Sequence, residues 1–141
     1  MSSLRTPSDE SEPSAASAAA SRTDAAAASL GSGPPPDVSI VVPLFNEVES
    51  LGELIARIRA TCEQAALRFE VWLIDDGSTD GSDAEIERLA AEDRRVGWLR
   101  FRRNYGKSAG LHAGFSRAAG DVVITMDADL QDDPAEIPEL V

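Results

Sequence analysis

The sequence predicts an α/β fold, a mostly parallel Rossmann-like sheet flanked by helices, and three observations carry that expectation. Four short, β-branched apolar runs recur along the chain, and stretches with helical spacing lie between them. The connections are short, which calls for right-handed crossovers and a sheet covered on both faces. Each run also ends in a polar motif: "NE" after the first, "DDGSTD" after the second, "RNYGKS" after the third and "DADLQ" after the fourth. Ligands of such sheets bind beyond the carboxyl ends of the strands, where these motifs would gather.

Residues 1–36 precede the first run. Ala, Ser, Pro and Gly make up 25 of them, with two basic and four acidic residues, too little apolar surface to offset the entropy of ordering. The segment therefore reads as a disordered tail ending in the stiff linker "GSGPPP". Its "AASAAA" stretch lacks the large apolar residues of a secretory signal, and no run in the chain approaches the ~20 apolar residues that cross a bilayer.

"VSIVVPL" (38–44) is continuously apolar, as a strand buried on both faces would be. Ser50 and Glu53 stand at capping-box spacing, and Leu51, Leu54, Ile55, Ile58 and Cys62 fall on one helical stripe. "FEVWLID" (69–75) is the second strand. Ser82 and Glu85 repeat the capping signal, and Ile86 and Leu89 mark the buried side of a second helix. "VGWLRF" (96–101) is the third strand, Lys107 to Ala119 a helix rich in small residues, and "DVVITM" (121–126) the fourth strand. Asp133 precedes Pro134 and stands three before Glu136, the pattern of an N-cap, proline at N1 and a capping acid. Asp132 has no such assignment.

A formal charge of −12 argues against nucleic acid or an anionic membrane surface as the main partner, and favours a cation or a cation-bridged anion. The single cysteine, Cys62, has no partner for an internal disulfide and reads as a reduced core thiol. His112 lies among small and apolar residues of the third helix and reads as a packing or surface histidine.

Four aspartates, Asp127, Asp129, Asp132 and Asp133, follow the last apolar run. If the chain continues extended past Met126, then Asp127, Asp129 and Gln131 project to one face. Such hard oxygen donors suit Mg²⁺ or Mn²⁺, which keep positions for water and substrate phosphate. The stretch "DDGSTDG" fits an EF-hand loop by residue type but follows a strand-like run, which rejects that reading. "YGKS" resembles the end of a P-loop, yet Phe101 stands where the first glycine belongs. Lys107 is still able to reach a phosphate, with backbone N–H groups of its helix beside it. A receiver domain would place its acidic pair after the first strand, which here ends "PLFNE". The absence of G-x-G-x-x-G after that strand lowers the case for a nicotinamide or flavin site.

Together, "VSIVVPLFNE", "VWLIDDGSTDGS", "RNYGKSAGLHAGF" and "DVVITMDADLQDDP" resemble the family 2 glycosyltransferases with the GT-A fold. Within that family they are most similar to the polyprenyl-phosphate sugar transferases, such as dolichol-phosphate mannosyltransferase. The resemblance covers residues 37–141 and implies a nucleotide-sugar-binding half, incomplete at its C-terminal side. By residue, it implies that Pro43, Phe45 and Glu47 contact the base and ribose, and that Ile74 and Asp76 form a second nucleotide-contacting stretch. Asp127, Ala128, Asp129 and Gln131 match the segment that holds the divalent cation and the diphosphate. Phe45 replaces the tyrosine of many relatives, which removes a hydroxyl and leaves a ring.

The activity implied is a metal-dependent, inverting transfer of a sugar from GDP-mannose or a UDP-sugar to a polyprenyl phosphate at the cytoplasmic face of a membrane. Two alternatives stand beside it: a chain that binds the donor without turnover, and a family 2 transferase acting on a hydroxyl acceptor. The first activity needs no general base, because a phosphate acceptor is already ionised. A hydroxyl acceptor needs one, expected downstream of Val141, so no catalytic residue is assigned.

Overall fold

A computed structural model describes residues 2–5, 25–28 and 34–141. Its sheet has the strand order β1-β6-β3-β4-β5-β2. In chain order these are β1 (Ser2–Arg5), β2 (Ala25–Ala28), β3 (Val38–Leu44), β4 (Phe69–Asp75), β5 (Val96–Phe101) and β6 (Val122–Thr125). The middle four are parallel: β3 lies between β4 and β6, and β5 continues beyond β4. The helices are α1 (Val48–Gln64), α2 (Ser82–Glu92), α3 (Lys107–Arg117) and the short α4 (Ile137–Leu140) behind a 3₁₀ turn at Pro134–Glu136.

The expected α/β architecture is therefore present, with the alternation of strands and helices read from the sequence. Two differences concern the ends. Ser2–Arg5 and Ala25–Ala28 pair antiparallel with β6 and β5, where no regular structure was expected; both cover an edge whose N–H and C=O groups would otherwise lack partners. The rest of the expected tail up to residue 33 lies outside the described residues.

Strand periodicity sorts the core into two clusters. Val38, Ile40, Val42 and Leu44 of β3, with Val71 and Leu73 of β4, face the cluster that holds Leu51, Leu54, Ile55, Ile58 and Cys62 of α1 and Ile86 and Leu89 of α2. Burial pushes the Cys62 thiol up to about 11 against a smaller opposing pull from Arg95, so it remains a neutral core thiol. On the other face, Val41, Trp72, Ile74 and Leu99 meet Ala109 and Ala113 of α3. Gly114 lets α3 lie this close, since a Cβ there would collide with Val41.

This arrangement sets the site's location. From β3 the chain steps through α1 to β4 and through α2 to β5, and α3 then carries it back across the opposite face to β6 on the far side of β3. The strand order reverses between β3 and β6. An open α/β sheet parts its loops at such a point, leaving a crevice beyond the carboxyl ends of the strands.

Candidate functional site: the cavity over the strand reversal

A cavity of about 370 Å³ opens there, lined from all four loops. Pro43, Leu44, Phe45 and Glu47 come from the end of β3, Asp76 from β4, Asn104, Gly106 and Lys107 from the β5–α3 loop, and Asp127, Ala128 and Asp129 from β6. Eight residues singled out from the sequence are thus brought together: Pro43, Phe45, Glu47, Asp76, Lys107, Asp127, Ala128 and Asp129. Ile74 and Gln131 are not. Ile74 is fully buried in the cluster beneath α3, so its side chain packs the floor of the fold instead of facing a ligand.

The separation of Gln131 has a backbone cause. The chain does not continue extended past Met126: it turns at Ala128–Leu130, with Leu130 at φ +68° in the left-handed region. The alternation that would align Asp127, Asp129 and Gln131 is therefore broken. Asp129 Oδ1 instead accepts the Gln131 N–H at 3.1 Å, and Asp132 Oδ2 accepts the Asp127 N–H at 3.0 Å. Asp132, unassigned from sequence, closes this turn. Asp133 Oδ1 accepts the Ala135 N–H at 3.0 Å, the N-cap expected of it.

Asp76 is 6% exposed, and its two carboxylate oxygens accept the backbone N–H groups of Tyr105 at 2.7 Å and Gly106 at 2.9 Å. Burial raises its pKa, opposed by those two N–H groups and reinforced by neighbouring Asp75. Asp76 thus fastens the β5–α3 loop to the end of β4. Gly77 permits the two loops to touch: it has φ +81°, and a Cβ there would stand 2.6 Å from the Arg103 carbonyl carbon. Asp75 is also buried, accepting the Ser78 N–H at 2.9 Å. Its other oxygen and Arg100 Nε lack hydrogen-bond partners and face each other at 3.8 Å.

The β3–α1 loop is held by its neighbours rather than by its own helix cap. Asn46 sits at φ +57°, a conformation asparagine tolerates. Its N–H donates to Ser78 Oγ, and its Oδ1 accepts the Thr79 N–H, each at 2.8 Å. The Glu47 and Val48 N–H groups go to Ser82 Oγ and Asp80 Oδ2. Ser50, expected as an N-cap, lies inside α1 and donates to the Ala128 carbonyl at 2.5 Å. Ser82 likewise begins α2 instead of capping it, and Asp80 accepts both its N–H and its hydroxyl.

Charge in the cavity is paired across loops. Lys107 Nζ lies 2.9 Å from Asp127 Oδ1, and this hydrogen bond and the charge of Asp127, with smaller effects of Asp132 and Asp129, push the lysine's pKa up. Lys107 opens α3 behind Gly106, which offers the helix no side-chain cap. Asn104 and Gly106 also line the cavity; the sequence reading quoted both within "RNYGKS" without giving either a role, and Gly106 takes a positive φ of +101°. Among the described residues no group of three or more His, Cys, Asp or Glu could hold a metal ion. The two exposed carboxylates Asp127 and Asp129 are hard oxygen donors of the kind Mg²⁺ and Mn²⁺ take, and those ions commonly bind through one or two carboxylates with substrate phosphates and water completing the shell.

A parallel sheet with acidic and basic loops gathered over its strand reversal defines an α/β fold of the kind that binds ligands at that point, and the match to a family is direct. The Glycosyl transferase family 2 profile matches residues 39–141, and the chain belongs to that family. It is 53% identical over 105 residues to the undecaprenyl-phosphate 4-deoxy-4-formamido-L-arabinose transferase of Pseudomonas fluorescens (strain SBW25), covering 74% of this chain and 31% of that protein. The protein of the same name from Aeromonas hydrophila is 50% identical over 105 residues, covering 74% and 32%. The chain thus spans about a third of the length of these curated relatives. Among solved structures, the mannosyltransferase PcManGT from Pyrobaculum calidifontis, in complex with GDP-Man and Mn²⁺, is similar with a TM-score of 0.60 at 26% identity, covering 68% of this chain and 28% of that one. Mannosyl-3-phosphoglycerate synthase from Rubrobacter xylanophilus gives a TM-score of 0.59 at 26% identity, covering 72% and 33%. Among the described residues no helix is long and apolar enough to cross a membrane.

Proposed function

We propose that this chain binds the nucleotide-diphospho-sugar donor of an inverting, metal-dependent transferase whose acceptor is a polyprenyl phosphate at the cytoplasmic face of a membrane. The observation that carries the reading is the convergence of all four strand-end loops on one cavity whose wall holds Asp127, Asp129 and Lys107. The names of the curated relatives favour undecaprenyl phosphate as the acceptor. GDP-mannose and UDP-sugars both remain candidates for the donor.

In this reading Phe45, half exposed at the cavity mouth, packs against the base, with Pro43 and Glu47 beside it. Asp76 serves from behind, fixing the loop that presents Lys107. The first turn of α3 and the Lys107 ammonium offer positive potential to the diphosphate. Asp127 and Asp129 would hold Mg²⁺ or Mn²⁺, which when bound supplies positive charge against the leaving diphosphate. Gln131 would contribute to that site only if the turn at Leu130 unwinds. A phosphate acceptor needs no deprotonation at neutral pH, so none of the cavity carboxylates is required as a base.

Calorimetric titration of UDP- and GDP-sugars with Mn²⁺ or Mg²⁺, repeated with chelator, tests the proposal. Binding that needs the dication and is lost in Asp127→Asn supports it. Donor affinity indifferent to chelator would sink the metal assignment.

A further inference from the structure

Lys107 and Asp127 form an ion pair that the surrounding core does not enforce. Their side chains are 63% and 46% exposed, with Nζ and Oδ1 at 2.9 Å. The pair joins the start of α3 to the end of β6, and both residues line the same cavity. The ammonium occupies a carboxylate oxygen through which Asp127 would bind a dication, and two cations on one oxygen repel, strongly so where water is scarce.

Resting on the donor-and-dication reading above, we propose that Lys107 is a displaceable counter-ion: it neutralises Asp127 in the empty cavity and moves to the donor's diphosphate oxygens when a dication takes its place. A lysine suits such an exchange, being a point charge on a flexible four-carbon stem, whereas an arginine fork would favour a fixed bidentate pair. The exchange couples the two ligands. A dication alone must displace the ammonium and leave it only the weaker pull of Asp129 and Asp132, while a dication arriving with a diphosphate brings the lysine a new partner. By linkage, each ligand raises the affinity for the other.

The test is Mn²⁺ binding to the 141-residue chain, followed by electron paramagnetic resonance of the free ion at low ionic strength, first without nucleotide and then with saturating UDP or GDP. Lys107→Met, Lys107→Gln and Asp127→Asn are compared with the parent after confirming equal far-UV circular dichroism. Both Lys107 variants are expected to bind Mn²⁺ alone about two- to tenfold more tightly than the parent, a factor that shrinks in high salt because the pair is exposed. They should also gain less Mn²⁺ affinity from nucleotide than the parent does. The exchange is overturned, with the dication reading intact, if the Lys107 variants bind Mn²⁺ alone no more tightly than the parent while the parent takes up Mn²⁺ with nucleotide and Asp127→Asn does not. If the parent takes up no Mn²⁺ even with nucleotide, both the exchange and the dication reading fail.

Discussion

Asp76→Asn separates a residue that holds the cavity from one that merely lines it. The substitution preserves shape, but the side chain keeps one oxygen where the carboxylate has two. Either the Tyr105 or the Gly106 N–H, now 2.7 and 2.9 Å from an oxygen, must then face an amide NH₂. A hydrogen bond to a charged acceptor contributes about 1.5–3 kcal/mol. Burial already disfavours the Asp76 carboxylate, so removing its charge returns part of that, leaving an expected loss of about 1–2 kcal/mol. For a domain of roughly a hundred residues, this lowers Tm by about 5–10 °C. Asp129→Asn is the control: it is exposed and accepts the Gln131 N–H of its own turn, so its Tm should move by less than about 2 °C. Thermal melts followed by circular dichroism at pH 7 decide the matter. An Asp76→Asn protein melting with the parent, or the two variants shifting equally, would refute the view that Asp76 fastens the β5–α3 loop.

Three further outcomes follow from the same geometry. Asp132→Ala removes the acceptor of the Asp127 N–H and should weaken dication-dependent donor binding by about two- to tenfold in calorimetry, although its position in the sequence pattern makes it a bystander. Gly114→Ala drives a methyl into Val41 and should cost about 1–3 kcal/mol of stability in urea unfolding. For pH, burial raises Asp93, but hydrogen bonds from the Arg95 side chain and N–H, the Arg95 charge and a hydrogen bond from Arg59 outweigh it and hold the pKa below the ordinary carboxylate value. A depressed folded pKa contributes stability above the unfolded value near ~3.9 that is lost as pH falls through the folded one. Asp93→Asn should therefore destabilise the protein at pH 6 and flatten its stability profile below about pH 4. Asp76 has the opposite sign: its raised pKa contributes stability at low pH that fades as pH rises through the folded value.

What the sequence made legible was what its periodicity encodes. The stripe Leu51, Leu54, Ile55, Ile58 and Cys62 is the buried set of α1, because a 3.6-residue repeat fixes a face wherever the helix packs. The runs 38–44, 69–75 and 96–101 coincide with β3, β4 and β5, since mainly apolar runs this short have few other solutions in an α/β chain. The caps were misread for a different reason. Ser50 and Ser82 have the right local spacing, but the donors they were expected to satisfy belong to other geometry, and each hydroxyl engages a residue of another loop. Local spacing carries no information about that. The turn after β6 failed similarly: alternation assumes extended backbone, and nothing local announced the left-handed Leu130. Asn104 was given no role because its place at the cavity comes from the β5–α3 loop being drawn against Gly77, a contact between distant positions.

Those cross-loop bonds join into a ring, and the ring argues for where the site can open. Asn46, Glu47 and Val48 bind the β4–α2 loop through Ser78, Ser82 and Asp80. Asp76 binds the β5–α3 loop. Ser50 binds the loop after β6 through the Ala128 carbonyl. In each of these links one member is a backbone group, so only the side-chain end can leave by rotation. The β5–α3 loop meets the loop after β6 through Lys107 and Asp127, two exposed side chains whose bond can break by rotation about their own stems. A ring with three links anchored in backbone and a fourth made by mobile charges yields first at the fourth. That link lies at the diphosphate end of the proposed donor site, so the proposed exchange would open the cavity there while the loops that shape the rest of it stay in place.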